Sequence, residues 1–235
     1  MIIMKKLQTP AQLIEQVYVA ILDAICDGTL PPNERITQEG LAEQLGVSRQ
    51  PILQAFQILK REGFIEESGR KGVIVTPLDP LRLVQLYQVR AALDALAASE
   101  AARRVREHGA EPYRAEGEKL IRQGREAAVG ENDYRRVQAD IAFHQFIYRM
   151  SGNPVIGETT AIHWHHIRRV MSAILQSDVR TFDGVWDEHE NILLAILAGD
   201  EQQAGVRARQ HAESAAENLA RRLDDEEHAS KRKQA

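Results

Sequence analysis

Asp140 and His144 lie four residues apart in the run ADIAFHQFIYRMSGN, among Ile141, Phe143, Ile147 and Tyr148, whose side chains favour burial. Four residues is about one helical turn, so the carboxylate and the imidazole share a face, roughly 6 Å apart at Cβ. Alone, such a pair is most often an ion pair or a surface hydrogen bond. Two further histidines widen the choice: His189 opens HENILLAIL and His211 stands in ARQHAES, each on its own expected helix. In an antiparallel bundle, side chains from facing helices can converge in the core. Three neutral imidazoles and one carboxylate meeting there suit a borderline divalent ion and leave coordination positions open. Zinc is the first choice, with nickel, iron or manganese as alternatives. Other histidines, His163, His165 and His166 in AIHWHHIRRV, cannot all face one way on a helix; by default they are helix surface, with cavity wall as the alternative. Trp164 and Trp186 read as packing residues.

The elements that must position these groups follow from hydrophobic periodicity. Leu13, Ile14, Val17, Tyr18, Ile21, Leu22 and Ile25 predict one amphipathic helix from Ala11 to Cys26, which Gly28 and the following LPPNE end. Thr37 is a plausible cap for a short helix ending at Leu45, Gly46 supplies a left-handed turn, and Ser48 caps a second helix with Pro51 in its first turn. Leu41, Leu45, Val47, Ile52, Ala55, Phe56 and Leu59 supply a shared core. This is a helix-turn-helix pattern. FIEES and GVIVTP flank GRKG, so a two-stranded hairpin with a basic glycine tip follows, and residues 7–77 read as a winged helix-turn-helix. Beyond PLDP the chain is helical throughout: Leu81 to Arg106, with Leu83, Leu86, Val89, Ala92, Leu93 and Leu96 in register, then about 112–129, 131–151, 154–177, 181–198 and 200–223. The expected architecture is mainly α: the winged N-terminal unit, an all-α antiparallel bundle over 78–223, and a flexible tail over 224–235.

Composition narrows the function classes. The 235 residues are 43% hydrophobic, 27% charged and 5% aromatic, the balance of a core-forming, helix-rich protein. No apolar run approaches a membrane span, and Met4-Lys5-Lys6 passes at once into Gln8-Thr9-Pro10, so neither a membrane segment nor an export signal is expected. Cys26 is the single cysteine; it excludes an intrachain disulfide and makes the cytoplasm the expected compartment. The net charge is −4, and residues 1–77 hold eight Lys/Arg against nine Asp/Glu, so binding to nucleic acid must rest on local placement of charge.

Two stretches carry a family resemblance. DGTLPPNERITQEGLAEQLGVSRQPILQAFQILKREGFIEESGRKGVIV resembles the DNA-binding domain of the GntR superfamily of bacterial transcription regulators. VRAALDALAASEAA, DIAFHQFIYRMSGN and DEHENILLAILAGDEQQA resemble the FCD effector domain of its FadR-type subfamily. The likeness covers roughly residues 8 to 223. It implies a homodimeric regulator, a repressor and not an enzyme, that reads palindromic operator DNA and answers to a small organic-acid effector, with release from DNA the commoner family response. Metal-binding members share the order Asp, His four later, then two separated His, which maps onto Asp140, His144, His189 and His211. Arg90 matches a position whose arginine faces the effector cavity; its alternative is an ion pair with Asp94. The family commonly has threonine and arginine in the recognition helix where this chain has Gln50 and Leu53, while Arg49 is kept.

The leading turn of a recognition helix enters the major groove, which points to Ser48, Arg49, Gln50 and Gln54. Arginine suits guanine and glutamine suits adenine. Arg70, Lys71 and Gly72 at the wing tip would meet phosphate or the minor groove. Two other readings compete with ligand sensing: a metal-dependent hydrolase or isomerase, and a purely structural metal.

Overall fold

A computed structural model describes residues 11–69, 72–130, 132–175 and 184–234, and the chain divides into two compact units, residues 1–77 and 78–235. In the first, α1 (Ala11–Cys26) buries Val17, Ile21, Leu22, Ile25 and Cys26 along one stripe. It is followed by β1 (Arg35–Ile36), α2 (Gln38–Leu45), α3 (Arg49–Arg61), β2 (Ile65–Ser68) and β3 (Gly72–Val75). Thr37 caps α2: its hydroxyl accepts from the Gly40 amide at 3.1 Å. Gly46, at φ 64°, makes the left-handed turn between the helices that a side chain would strain. Ile52, Ala55, Phe56 and Leu59 on α3 pack with Phe64, Ile65 and Val75 beneath the sheet.

Three details depart from the sequence pattern. Ser48 holds the N-cap position of α3, but its hydroxyl makes no capping bond. Leu45 is 38% exposed, because α2 turns only Leu41 and Ala42 inward before the chain bends away. The hairpin β2–β3 forms with Ile65 opposite Val75, and β1 joins it to give the antiparallel order β1-β3-β2, Ile36 facing Val73. A two-residue strand has no periodicity to read.

Among the described residues the second unit is all helix: α4 (Pro80–His108), α5 (Glu111–Val129), α6 (Asp133–Ser151), α7 (Pro154–Leu175), α8 (Val185–Leu197) and α9 (Glu201–Gln234). Asp79 caps α4 through two amides, Leu81 and Arg82, and Asn132 caps α6. The buried face of α4 is not the leucine register. Leu83 and Leu86 are inside, but Val89 and Leu96 are 47% and 45% exposed. The inward row is Tyr87, Arg90, Ala91, Asp94, Ala97, Ala98, Ala101 and Ala102. It faces the matching row Ala204, Ala208, Ala212 and Ala216 of α9. Two alanine faces let the helix axes approach closely, and that contact outweighs the larger area of scattered leucines. The segment 224–235, expected as a tail, continues α9 to Gln234: after Gly205 the sequence holds no glycine or proline to stop it.

Packing on the far side of the bundle is equally tight. A Cβ at Gly124 of α5 would come within 2.0 Å of the buried Trp186 ring. Gly124→Ala should therefore cost about 1–3 kcal/mol through overpacking, read as a lowered urea midpoint with an unchanged slope; an unchanged midpoint would mean that the indole moves aside freely.

Candidate metal centre and nucleic-acid face

Asp140 and His144 project from α6, His189 from near the start of α8 and His211 from the first third of α9. Three helices thus bring four buried side chains together, each offering a ligand atom within 4.8 Å of all the others. His189 Nε2 lies 3.1 Å from His211 Nε2 and 3.4 Å from Asp140 Oδ1, and His144 Nε2 lies 3.9 Å from the same oxygen. Donors around a tetrahedral ion with bonds of about 2.0–2.1 Å stand roughly 3.3 Å apart, so small side-chain adjustments close this set on a divalent cation.

Electrostatics supports the fit. Burial holds the His144 and His189 imidazoles well below the usual histidine range, with further depression from neighbouring histidines and Arg90, so both are neutral at pH 7, the form that can bind a metal. Burial pushes the Asp140 carboxyl up, which is the behaviour of a carboxylate lacking enough positive charge nearby. Buried at the site are the Asp94 and Asp140 carboxylates and the Arg90 guanidinium, and a divalent cation would add positive charge beside Asp140. Such an ion would supply Lewis-acid positions for an oxygen ligand.

Arg90 is 2% exposed and sits at the edge of this cluster. Its Nε donates to Asp94 Oδ2 at 3.1 Å, and its Nη2 lies 2.7 Å from His144 Nε2. Burial is the largest influence and disfavours the charge, but Asp94, Tyr87, Asp140 and Tyr148 together outweigh it and keep Arg90 above its ordinary pKa. The Trp164 ring covers the guanidinium at 4.1 Å, and the Tyr148 hydroxyl donates to Asp94 Oδ1. Arg90 is therefore paired with Asp94 and reaches the four-residue cluster at His144. Asp94 also lies 3.4 Å from His144 Nδ1, and Glu188 Oε2 lies 2.7 Å from His211 Nδ1. Neither carboxylate was legible as a partner of those rings, because no sequence spacing links α4 to α6 or α8 to α9. His163, His165 and His166 stay outside the cluster; His165 lines a cavity of about 500 Å³ between α6 and α7.

On α3, Arg49 and Gln50 are exposed as expected, and Ser48 keeps its hydroxyl out of the cap. Arg49 pairs with Glu39 of α2 across two well-exposed side chains, a contact weak enough to exchange for another. Gln54 is half-buried; the outward face of the helix continues instead through Leu53 and Gln57. Arg70 and Lys71 lie outside the described residues. At the wing, a Cβ on Gly72 would stand 3.3 Å from Arg35 Nε and from the Ile36 carbonyl, so the glycine makes room for Arg35 of β1. Arg35 is a second basic group at the wing that only the strand pairing reveals.

The two units correspond to two family models. Residues 13–75 match the description "Bacterial regulatory proteins, gntR family", and residues 85–214 match "FCD domain". The chain belongs to the GntR family of bacterial transcription regulators, in the branch that carries an FCD domain. It is 35% identical to the HTH-type transcriptional regulator YdhC of Bacillus subtilis over 39% of this chain and 41% of that protein. It is 28% identical to a probable D-xylose utilization operon transcriptional repressor of Paenarthrobacter nicotinovorans, over 83% of this chain and 84% of the relative. The solved structure of E. coli McbR/YncC shares its fold, with a TM-score of 0.75 at 19% identity, covering 90% of this chain and 98% of that one. Among the described residues no helix is long and apolar enough to cross a membrane.

If the four residues form one metal centre, His144→Ala, His189→Ala and His211→Ala should each lower bound metal while leaving the helical circular-dichroism signal largely intact. Elemental analysis decides it: full occupancy in all three variants removes the site.

Proposed function

We propose that the protein is a homodimeric, metal-containing repressor whose grip on a palindromic operator is set by a small carboxylate or hydroxy acid bound at a divalent ion in the second unit. The observation that carries this reading is the position of Arg90 against His144 Nε2, at 2.7 Å. That nitrogen can give its lone pair to Arg90 or to a metal, not to both. With the ion in place, a buried guanidinium N–H loses its acceptor, and an anionic ligand beside the metal replaces it. The xylose-operon relative supports the repressor assignment. On the DNA side, a single recognition helix covers only a few base pairs, and two-fold symmetry doubles the site. The exposed leading turn of α3 and the wing are the surfaces for that contact.

Complete burial of the cluster, with His189 at 0% exposure, also favours a purely structural ion. Chelation separates the two: loss of effector response with the helices intact supports sensing, and collapse of the bundle supports a structural role.

Arg49→Ala should weaken operator binding by about 1–3 kcal/mol per half-site, the worth of a bidentate base contact. Unchanged affinity in a titration against the operator would place Arg49 off the bases. For the effector side, Arg90→Ala would leave Asp94 buried without its partner and cost stability. Arg90→Lys keeps the charge beside Asp94 and removes the planar fork. With an acid found by thermal-shift screening, calorimetry of Arg90→Lys should show metal retained and effector binding weaker by about 1.5–3 kcal/mol. Equal affinity would assign Arg90 to Asp94 alone.

A further inference from the structure

Glu188 directly precedes His189 in the first turn of α8, so the two side chains leave the helix about 100° apart. His189 enters the bundle and is 0% exposed, while the Glu188 side chain stays 50% exposed at the rim. From there its Oε2 reaches 2.7 Å from Nδ1 of His211 on α9. The other nitrogen of that ring, Nε2, faces the cluster, 3.1 Å from His189 Nε2. One imidazole therefore spans the wall of the bundle, with a carboxylate at one end and the ligand set at the other.

The three histidines differ in this respect. His144 Nδ1 shares Asp94 with Arg90 and Tyr148, at 3.4 Å. His189 Nδ1 is buried with no hydrogen-bond partner. Only His211, of these three, has a nearby carboxylate engaged by no second hydrogen bond in the cluster. A neutral imidazole carries its proton on one nitrogen, and only the bare one can bind an ion. A carboxylate on Nδ1 draws the proton there and leaves the Nε2 lone pair facing inward. Without it the ring is free to take the opposite tautomer, which aims an N–H at the ion's position.

We infer that Glu188 is a positioning residue of the metal centre: it accepts the Nδ1–H of His211 and holds that ring in the tautomer that binds through Nε2. The inference rests on the metal reading given above. Glu188 lines a groove of about 440 Å³ with Asn191, Arg207, Gln210, Ser214 and His211 itself. Its substitution therefore changes a solvated rim and leaves no buried charge behind.

The test uses the full chain and zinc alone as probe, with affinity measured by competition against a chromophoric chelator. Glu188→Ala should bind zinc about 10–100-fold more weakly than the parent. Glu188→Gln should fall between them, because its amide oxygen still accepts from Nδ1–H but carries no charge. Nitrogen-15 NMR of the metal-free proteins should show the His211 proton on Nδ1 in the parent and redistributed toward Nε2 in Glu188→Ala, a change that a merely structural role would not produce. Circular dichroism checks the fold, and Glu188→Gln decides the matter if the alanine variant does not fold. Affinity within twofold of the parent together with an unchanged His211 tautomer overturns the inference, given a parent that binds zinc and a His211→Ala variant that loses it. A parent that takes up no zinc overturns the metal reading itself, and the inference with it.

Discussion

The second unit is organised around charge that cannot reach water. Arg90 and Asp94 are each 2% exposed, and no hydrophobic packing compensates for burying either one alone. Their ion pair, the Tyr148 hydroxyl on Asp94 and the Trp164 ring on the guanidinium together make burial tolerable. Each contact comes from a different helix: α4 supplies the pair, α6 the phenol and α7 the indole. Displacing any of these helices would expose or unpair a charge, so the polar cluster specifies how the helices meet as firmly as the apolar core does.

Alanine makes that cluster possible. The inward row of α4 carries Ala91, Ala97, Ala98, Ala101 and Ala102 around Arg90 and Asp94. With α9 pressed close along its own alanine row, the volume left near Arg90 is filled by large groups from α6, α7 and α8: His144, Trp164 and His189. The ring centroids of His144, His189 and His211 lie 4.5 to 5.3 Å apart, which leaves the nitrogens free to converge between them. Close helix packing on one side thus sets the dimensions of the ligand cluster on the other.

On the function proposed above, the two units place their functional groups in opposite ways, and each placement suits its partner. A duplex is large and approaches from outside, so Arg49, Gln50, Leu53 and Gln57 stand outward on a helix whose other face carries the core. A cation is small and would gain most where water is excluded, and Asp140 and the three histidines of the cluster face inward. The exposed Arg49–Glu39 pair and the buried Arg90–Asp94 pair have the same chemistry and different consequences. The first can open for a ligand, whereas the second must be kept intact.

Much of this was legible in the residues themselves. Helix positions follow from apolar spacing and from Thr37, Gly46, Asp79 and Asn132, because capping and periodicity act within a few residues along the chain. The four ligand candidates could be named from residue type and a family order, and the structure brings their donor atoms within 4.8 Å of one another. What the sequence could not decide was which face of α4 turns inward, since its leucines and its alanines both form helical rows, and only the fit against α9 selects between them. It was equally silent on Asp94 beside His144, Glu188 beside His211 and Arg35 beside the wing glycines. These pairs join elements 20 to 60 residues apart or depend on a two-residue strand, and such contacts are decided by the packing of whole elements rather than by any local pattern.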